Sequence, residues 1–129
     1  MPRNIDLTEA EWTLMEQLWA APGLTGRALT EALHKQTGWA RSTTLTLLRR
    51  LTEKGAVRTE VRDGMHVYFP AVSREDAAAR QTRDLLGRVY HGSLSLLVSA
   101  MTRKEALSKA EIDELHAILD EMEAKQGDA

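Results

Sequence analysis

Residues 39–57, WARSTTLTLLRRLTEKGAV, run straight into residues 58–70, RTEVRDGMHVYFP, and this join decides the fold. In the first block Thr44, Leu47, Leu48 and Leu51 recur at helical spacing and define a core face. Arg41, Ser42, Thr43, Leu45, Thr46, Arg49 and Arg50 are left for the other faces. Gly55 is well placed as a left-handed C-terminal stop, so the helix should run from about 41 to 54. In the second block Val57, Thr59 and Val61 alternate with polar residues, as do Val67 and Phe69. Between them Asp63-Gly64 supplies positive φ at low cost, which predicts a hairpin over about 57–70 that Pro70 ends. A helix with hydroxyls and arginines outward, followed at once by a hairpin, is the arrangement of a winged helix-turn-helix. It points to a sequence-reading protein rather than a catalyst.

Working outward, Thr8 and Glu11 make a capping box for a first helix whose Trp12, Met15, Leu18 and Trp19 share a face. Ala21-Pro22-Gly23 ends that helix. Thr25 caps a second one, carrying Ala28, Leu29, Ala32 and Leu33 and stopping near Gly38. On the other side, the stretch from Ser73 to Asp76 opens a polar helix reaching about Tyr90, and Gly92-Ser93 breaks it. Leu94, Leu97, Val98 and Met101 follow on a short helix. Ser108 and Glu111 form another capping box, behind which Ile112, Leu115, Ile118, Leu119 and Met122 make an apolar stripe. Residues from Lys125 onward read as a frayed end.

The expected fold is therefore mainly α with a small β-hairpin: a winged helix-turn-helix domain over residues 1–72, then a helical dimerisation domain over 73–129. The short single-striped helices of the second part make a poor independent core. Their stripes either bury against a second copy of the chain or pack back on the first domain.

Composition narrows the function. A chain of 129 residues is one domain, or one small domain with an appendage. No cysteine is present, which removes disulfides, thiolate metal sites and a thiol nucleophile. No apolar run is long enough to span a bilayer and the start lacks a signal-peptide pattern, so a cytoplasmic location is expected. The formal net charge of -2 conceals an asymmetry, because Arg27 to Arg62 holds eight basic residues against three acids. Such a block is either ordinary solvated faces or the footprint of a polyanion.

On the helix over 41–54, small residues near the start allow a close approach to the major groove. Ser42, Thr43 and Thr46 can bond bases or phosphates, and methyl groups can pack on thymine. Arg41 joins them, and Arg49 and Arg50, a turn later, lie at backbone height and can neutralise phosphates. Leu45 either contacts a thymine methyl or packs into the core. Arg62, at the hairpin tip, either reaches a neighbouring groove or phosphate or is a solvated turn residue. Thr25 completes the candidate DNA-binding set. The candidate dimerisation set is Leu94, Leu97, Val98, Met101, Ile112, Leu115, Ile118, Leu119 and Met122.

The ordered pattern LTEAEW (7–12), Leu18-Trp19, Leu24-Thr25, Trp39, STTLTLLRRL (42–51), Lys54-Gly55 and YFP (68–70) resembles the penicillinase-repressor family, the BlaI/MecI/CopY group of winged-helix repressors. The resemblance continues through RVYHGSL (88–94) and LSKAEIDEL (107–115), nearly the whole chain. It implies a homodimeric transcriptional repressor with no cofactor, whose N-terminal winged helix binds a palindromic operator of TACA/TGTA-like half-sites and whose C-terminal helices dimerise. In the β-lactam branch it also implies a membrane sensor-protease pathway that triggers cleavage of the repressor. The Asn-Phe pair cut there is replaced by Ala100-Met101, so cleavage of the usual specificity is not expected. The Cys-x-Cys signature of the copper branch is missing. Where some members have a capping serine, a proline and a lysine at the recognition helix, this chain has Ala40, Arg41 and Ser42. Met65 stands where a basic residue often follows the wing glycine.

Other classes fit less well. His34, His66, His91 and His116 are scattered without ligand spacing, and the glycines are isolated turn or cap positions, so neither a metal site nor a phosphate loop emerges. An enzyme is not expected. The alternatives kept are a helical dimeric protein-interaction module without DNA binding, and a repressor that responds to a metal or small ligand.

Overall fold

The structure, a computed structural model, describes residues 5–104 and 106–127. The elements are α1 (Glu9–Ala20), β1 (Leu24–Thr25), α2 (Gly26–Thr37), α3 (Arg41–Lys54), β2 (Val57–Arg62), β3 (Met65–Pro70), α4 (Arg74–Val89), α5 (Leu94–Lys104) and α6 (Lys109–Gly127). The three strands form an antiparallel sheet in the order β1-β3-β2. The mainly helical winged fold expected from the sequence is present. The two-residue strand β1, which pairs Leu24 with Tyr68 and Thr25 with Val67, had no sequence signal of its own. It exists because β3 offers it a free edge.

Thr8 caps α1 as expected. Its hydroxyl accepts from the Glu11 amide at 3.1 Å, and its own amide donates to Glu11 Oε1 at 2.9 Å. The buried face of α1 takes Met15 and Leu18 from the expected face and adds Leu14. Trp12 and Trp19 are half-buried beside it, edge to face with centroids 5.1 Å apart. An indole N–H needs a partner, and each ring finds one at the rim of the core. Trp12 donates to Glu16 Oε1 at 2.8 Å and Trp19 to the Val72 carbonyl at 2.9 Å. Leu29 and Leu33 of α2 and Leu47, Leu48 and Leu51 of α3 complete the central core. Thr44 is fully buried with them, as its spacing predicts.

Gly55 has φ +84, the left-handed stop anticipated for α3. At the hairpin tip both Asp63 (φ 52) and Gly64 (φ 77) are left-handed, which matches the twist of the flanking strands. The alternation in β2 does not translate into one buried face. Register pairs Val61 with His66 and Arg58 with Phe69, so the apolar residues of the wing divide between both faces. Val61 is 64% exposed because the hairpin projects past the core.

Glu11 does more than cap. It is almost fully buried, and Lys54 at the end of α3 donates to its Oε1 at 2.6 Å and to the Asp6 carbonyl at 3.0 Å. Burial pushes the Glu11 carboxyl up, but the bonds from Lys54 and the Thr8 amide outweigh it and hold the group below its ordinary value. Nearby, Arg80 of α4 bonds Asp6 Oδ1 at 2.8 Å and Gln81 bonds the Leu7 carbonyl at 2.9 Å.

The chain divides into two compact units, with the boundary between Asp84 and Leu85 inside α4. The second unit contains α5 and α6. Ser93 Oγ accepts from the Leu96 amide at 3.2 Å and Ser108 Oγ from the Glu111 amide at 3.1 Å, which caps both helices. Val98, Met101, Leu107, Leu115 and Ile118 line an apolar groove between them. No residue of α6 is buried. The helix continues through Gly127, past Lys125 where fraying was expected; Asp128 and Ala129 lie outside the described residues. No helix of the described residues is long and apolar enough to cross a membrane.

Candidate nucleic-acid interface

The helix α3 owes its outward face to the core face behind it. With Thr44, Leu47, Leu48 and Leu51 turned inward, the 3.6-residue period leaves Arg41, Ser42, Thr43, Leu45, Arg49 and Arg50 exposed and Thr46 half-buried. Leu45 is 39% exposed, so it is not a core residue of this chain. Ala40 occupies the N-cap with extended backbone and gives no side-chain hydrogen bond, so the helix start near Arg41 and Ser42 lacks a side-chain acceptor. A helix N-terminus of this kind favours an anion.

The electrostatics separate two groups of cations. Arg27 pairs with Glu31 at 3.2 Å, Lys54 with Glu11, and Arg58 and Arg62 both with Glu60. By contrast, Arg41, Arg49 and Arg50 make no ion pair among the described residues. Three guanidinium groups without an ion pair among the described residues thus lie along α3, Arg41 in its first turn and Arg49 and Arg50 two turns later, with small hydroxyls and an exposed leucine between them.

The remaining candidates are placed as follows. Thr25 is half-buried, and its hydroxyl oxygen accepts from the Ala28 amide at 3.1 Å, so that oxygen serves α2 as an N-cap. Arg41 faces α2 across a groove lined by Arg27, Thr30, Glu31, His34 and Lys35. His34 Nδ1 lies 3.0 Å from the Trp39 carbonyl, which secures the turn into α3. Arg62 is folded along the wing, with its guanidinium 4.8 Å from the Phe69 ring centroid. Arg58 lies over the same ring at 4.5 Å. The hydrogen bond from Arg58, followed by that from Arg62, holds the Glu60 carboxyl below the usual carboxylate range despite partial burial. The sequence reading missed this Arg58–Glu60–Arg62 set. Its signal was the alternation of three charges on one strand face opposite an aromatic residue.

Leu94, Val98, Met101, Ile112, Leu115, Ile118, Leu119 and Met122 are all exposed large hydrophobics, and Leu97 is half-buried. Among the described residues, no group of histidine and acidic side chains could hold a metal ion.

The family model of the penicillinase repressor matches residues 7–121. The chain belongs to the penicillinase-repressor family. Its relatives include the methicillin resistance regulatory protein MecI of Mammaliicoccus sciuri, 28% identical over 117 residues that cover 91% of this chain and 95% of that one. The penicillinase repressor of Bacillus licheniformis is 30% identical over 121 residues, 94% of each chain. Among solved structures, monomeric Bacillus licheniformis BlaI in complex with the blaP half-operator matches with a TM-score of 0.53 and 26% identity. That match covers 59% of this chain and 93% of the other. The family is one of transcriptional repressors, not enzymes. The winged helix of this penicillinase-repressor family member is therefore that of a DNA-binding fold.

Proposed function

We propose that this chain is a homodimeric transcriptional repressor that binds a palindromic operator. On this reading α3 enters the major groove, the wing of β2 and β3 makes a second contact, and α5 and α6 join two copies. The observation that carries the reading is the outer face of α3, where Arg41, Arg49 and Arg50 make no ion pair among the described residues and Ser42, Thr43 and Leu45 are exposed. The solved half-operator complex of a 26% identical BlaI supports it. Thr43, Leu45 and Thr46 are the base readers, and Thr25 contributes at the start of α2. The repressor works in the cytoplasm, and if its release is proteolytic the cut falls at a bond other than Ala100-Met101. Ala100-Met101 lies inside α5, so a cut at that bond requires the helix to open first.

Arg49→Ala and Arg50→Ala test the electrostatic half of this reading. Each should weaken binding to all duplex sequences alike and reduce the slope of log K against log salt by about 1. Anisotropy titrations of a labelled duplex over a range of KCl concentrations give that slope. If it is unchanged in both variants, the two arginines make no phosphate contact.

A further inference from the structure

The wing carries a charge cluster that the reading above leaves unused. Arg58, Glu60 and Arg62 alternate along β2 and so share one face, and Phe69 lies directly across the hairpin from Arg58. Both guanidinium groups stack on that one ring. Both also donate to one carboxylate, Arg58 Nη1 to Glu60 Oε1 and Arg62 Nη2 to Glu60 Oε2 at 2.8 Å. Each oxygen of Glu60 thus holds one arginine. The cluster is largely exposed: the side chains of Arg58 and Arg62 are 54% and 61% accessible.

We propose that Glu60 is an internal stand-in for a DNA phosphate, holding the two wing arginines in place and withholding their charge from the duplex. This inference rests on the DNA-binding reading above. The chemistry of the exchange is simple. A carboxylate and a phosphate both offer paired anionic oxygens to the planar edge of a guanidinium. Glu60 cancels one of the two positive charges, so the paired cluster brings one net charge to the DNA backbone, whereas two arginines transferred to phosphates bring both and release a further counterion. The ring centroid of Phe69 lies 4.5 and 4.8 Å from the two guanidinium carbons, so both cations have a contact besides the carboxylate that survives exchange of the anion. Met65 follows the wing glycine and carries no charge, and the hairpin has no lysine and no arginine besides Arg58 and Arg62. Glu60 therefore sets how much sequence-independent affinity the wing contributes. It shifts the balance toward readout by α3.

The test uses the full chain and a random-sequence duplex, titrated at several KCl concentrations. Glu60→Gln keeps the shape of the side chain and removes its charge. It should bind the duplex several-fold more tightly, with the salt slope steeper by about 1, the single positive charge that Glu60 had cancelled. The same substitution in an Arg58→Ala/Arg62→Ala background should give no such gain. Thermal melts should show all variants folded, because the cluster is at the surface. Wild-type affinity and slope in Glu60→Gln would overturn the proposal. So would an equal gain in the arginine-free background, which would make Glu60 a plain repulsive charge. Failure of the wild-type chain to bind duplex at any salt would instead overturn the DNA-binding reading itself.

Discussion

Leu115→Asp combined with Leu119→Asp should convert the chain to monomers and lower its affinity for a full palindromic operator by about 10²-fold or more. The two leucines belong to the stripe Ile112, Leu115, Ile118, Leu119 and Met122, whose residues are 38–54% exposed. A helix of 19 residues with no buried position leaves its apolar stripe largely uncovered, and in proteins most helical stability comes from packing such a face. A second copy would cover the stripe. Two aspartates on it would then have to be desolvated without partners, which costs several kcal/mol. Each monomer would keep its own α3 and its own contacts with a half-site, but the second half-site would no longer bind as an intramolecular event. Sedimentation gives the oligomeric state and anisotropy gives the affinity. A double variant that sediments as a stable dimer would show that these helices do not form the interface.

Lys54→Met should destabilise the winged-helix unit by about 3 kcal/mol at neutral pH, because it leaves the buried Glu11 carboxylate without its cation. The loss should shrink as the pH falls. In the wild type Glu11 is held below its ordinary value of 4.5, so its contribution is present above that pH and fades as acid protonates the folded state. In the variant, burial, the largest influence on the group, is opposed by Thr8 without Lys54, so the folded protein should take up a proton earlier than the wild type and recover stability on acidification. Adding Glu11→Gln to Lys54→Met should restore part of the loss at neutral pH, since glutamine keeps the capping geometry and carries no charge. Urea melts at several pH values measure all of this. A penalty that is the same at pH 4 and pH 7 would show that Lys54 acts through its packing, not its charge.

The helix α3 was legible in the sequence because a single residue run encodes both of its faces. Thr44, Leu47, Leu48 and Leu51 repeat at helical spacing, and Gly55 marks the end. The hairpin was equally plain from Asp63-Gly64. What escaped were features fixed by partners far away in the chain. Leu14 is core and the tryptophans are rim because an indole N–H must be satisfied, a requirement that periodicity alone does not carry. The strand β1 depends on the edge of β3, and the ion pair of Glu11 with Lys54 joins residues 43 positions apart. The exposure of Leu45 resolves an ambiguity between core and surface that spacing left open. Arg62 was noticed as a tip residue, but its company with Arg58, Glu60 and Phe69 required the strand register.

The central claim, that two copies of α3 read two half-sites together, is tested most directly by selecting bound duplexes from a random library with the full-length protein. A dimer places two recognition helices about one helical turn apart, about 34 Å between centres. The selected sequences should be inverted repeats with that spacing. Thymines should lie opposite the methyl-bearing side chains of Thr43, Leu45 and Thr46, and Leu45→Ala should alter the selected motif. Enrichment of single half-sites, of direct repeats, or of no motif at all would contradict it.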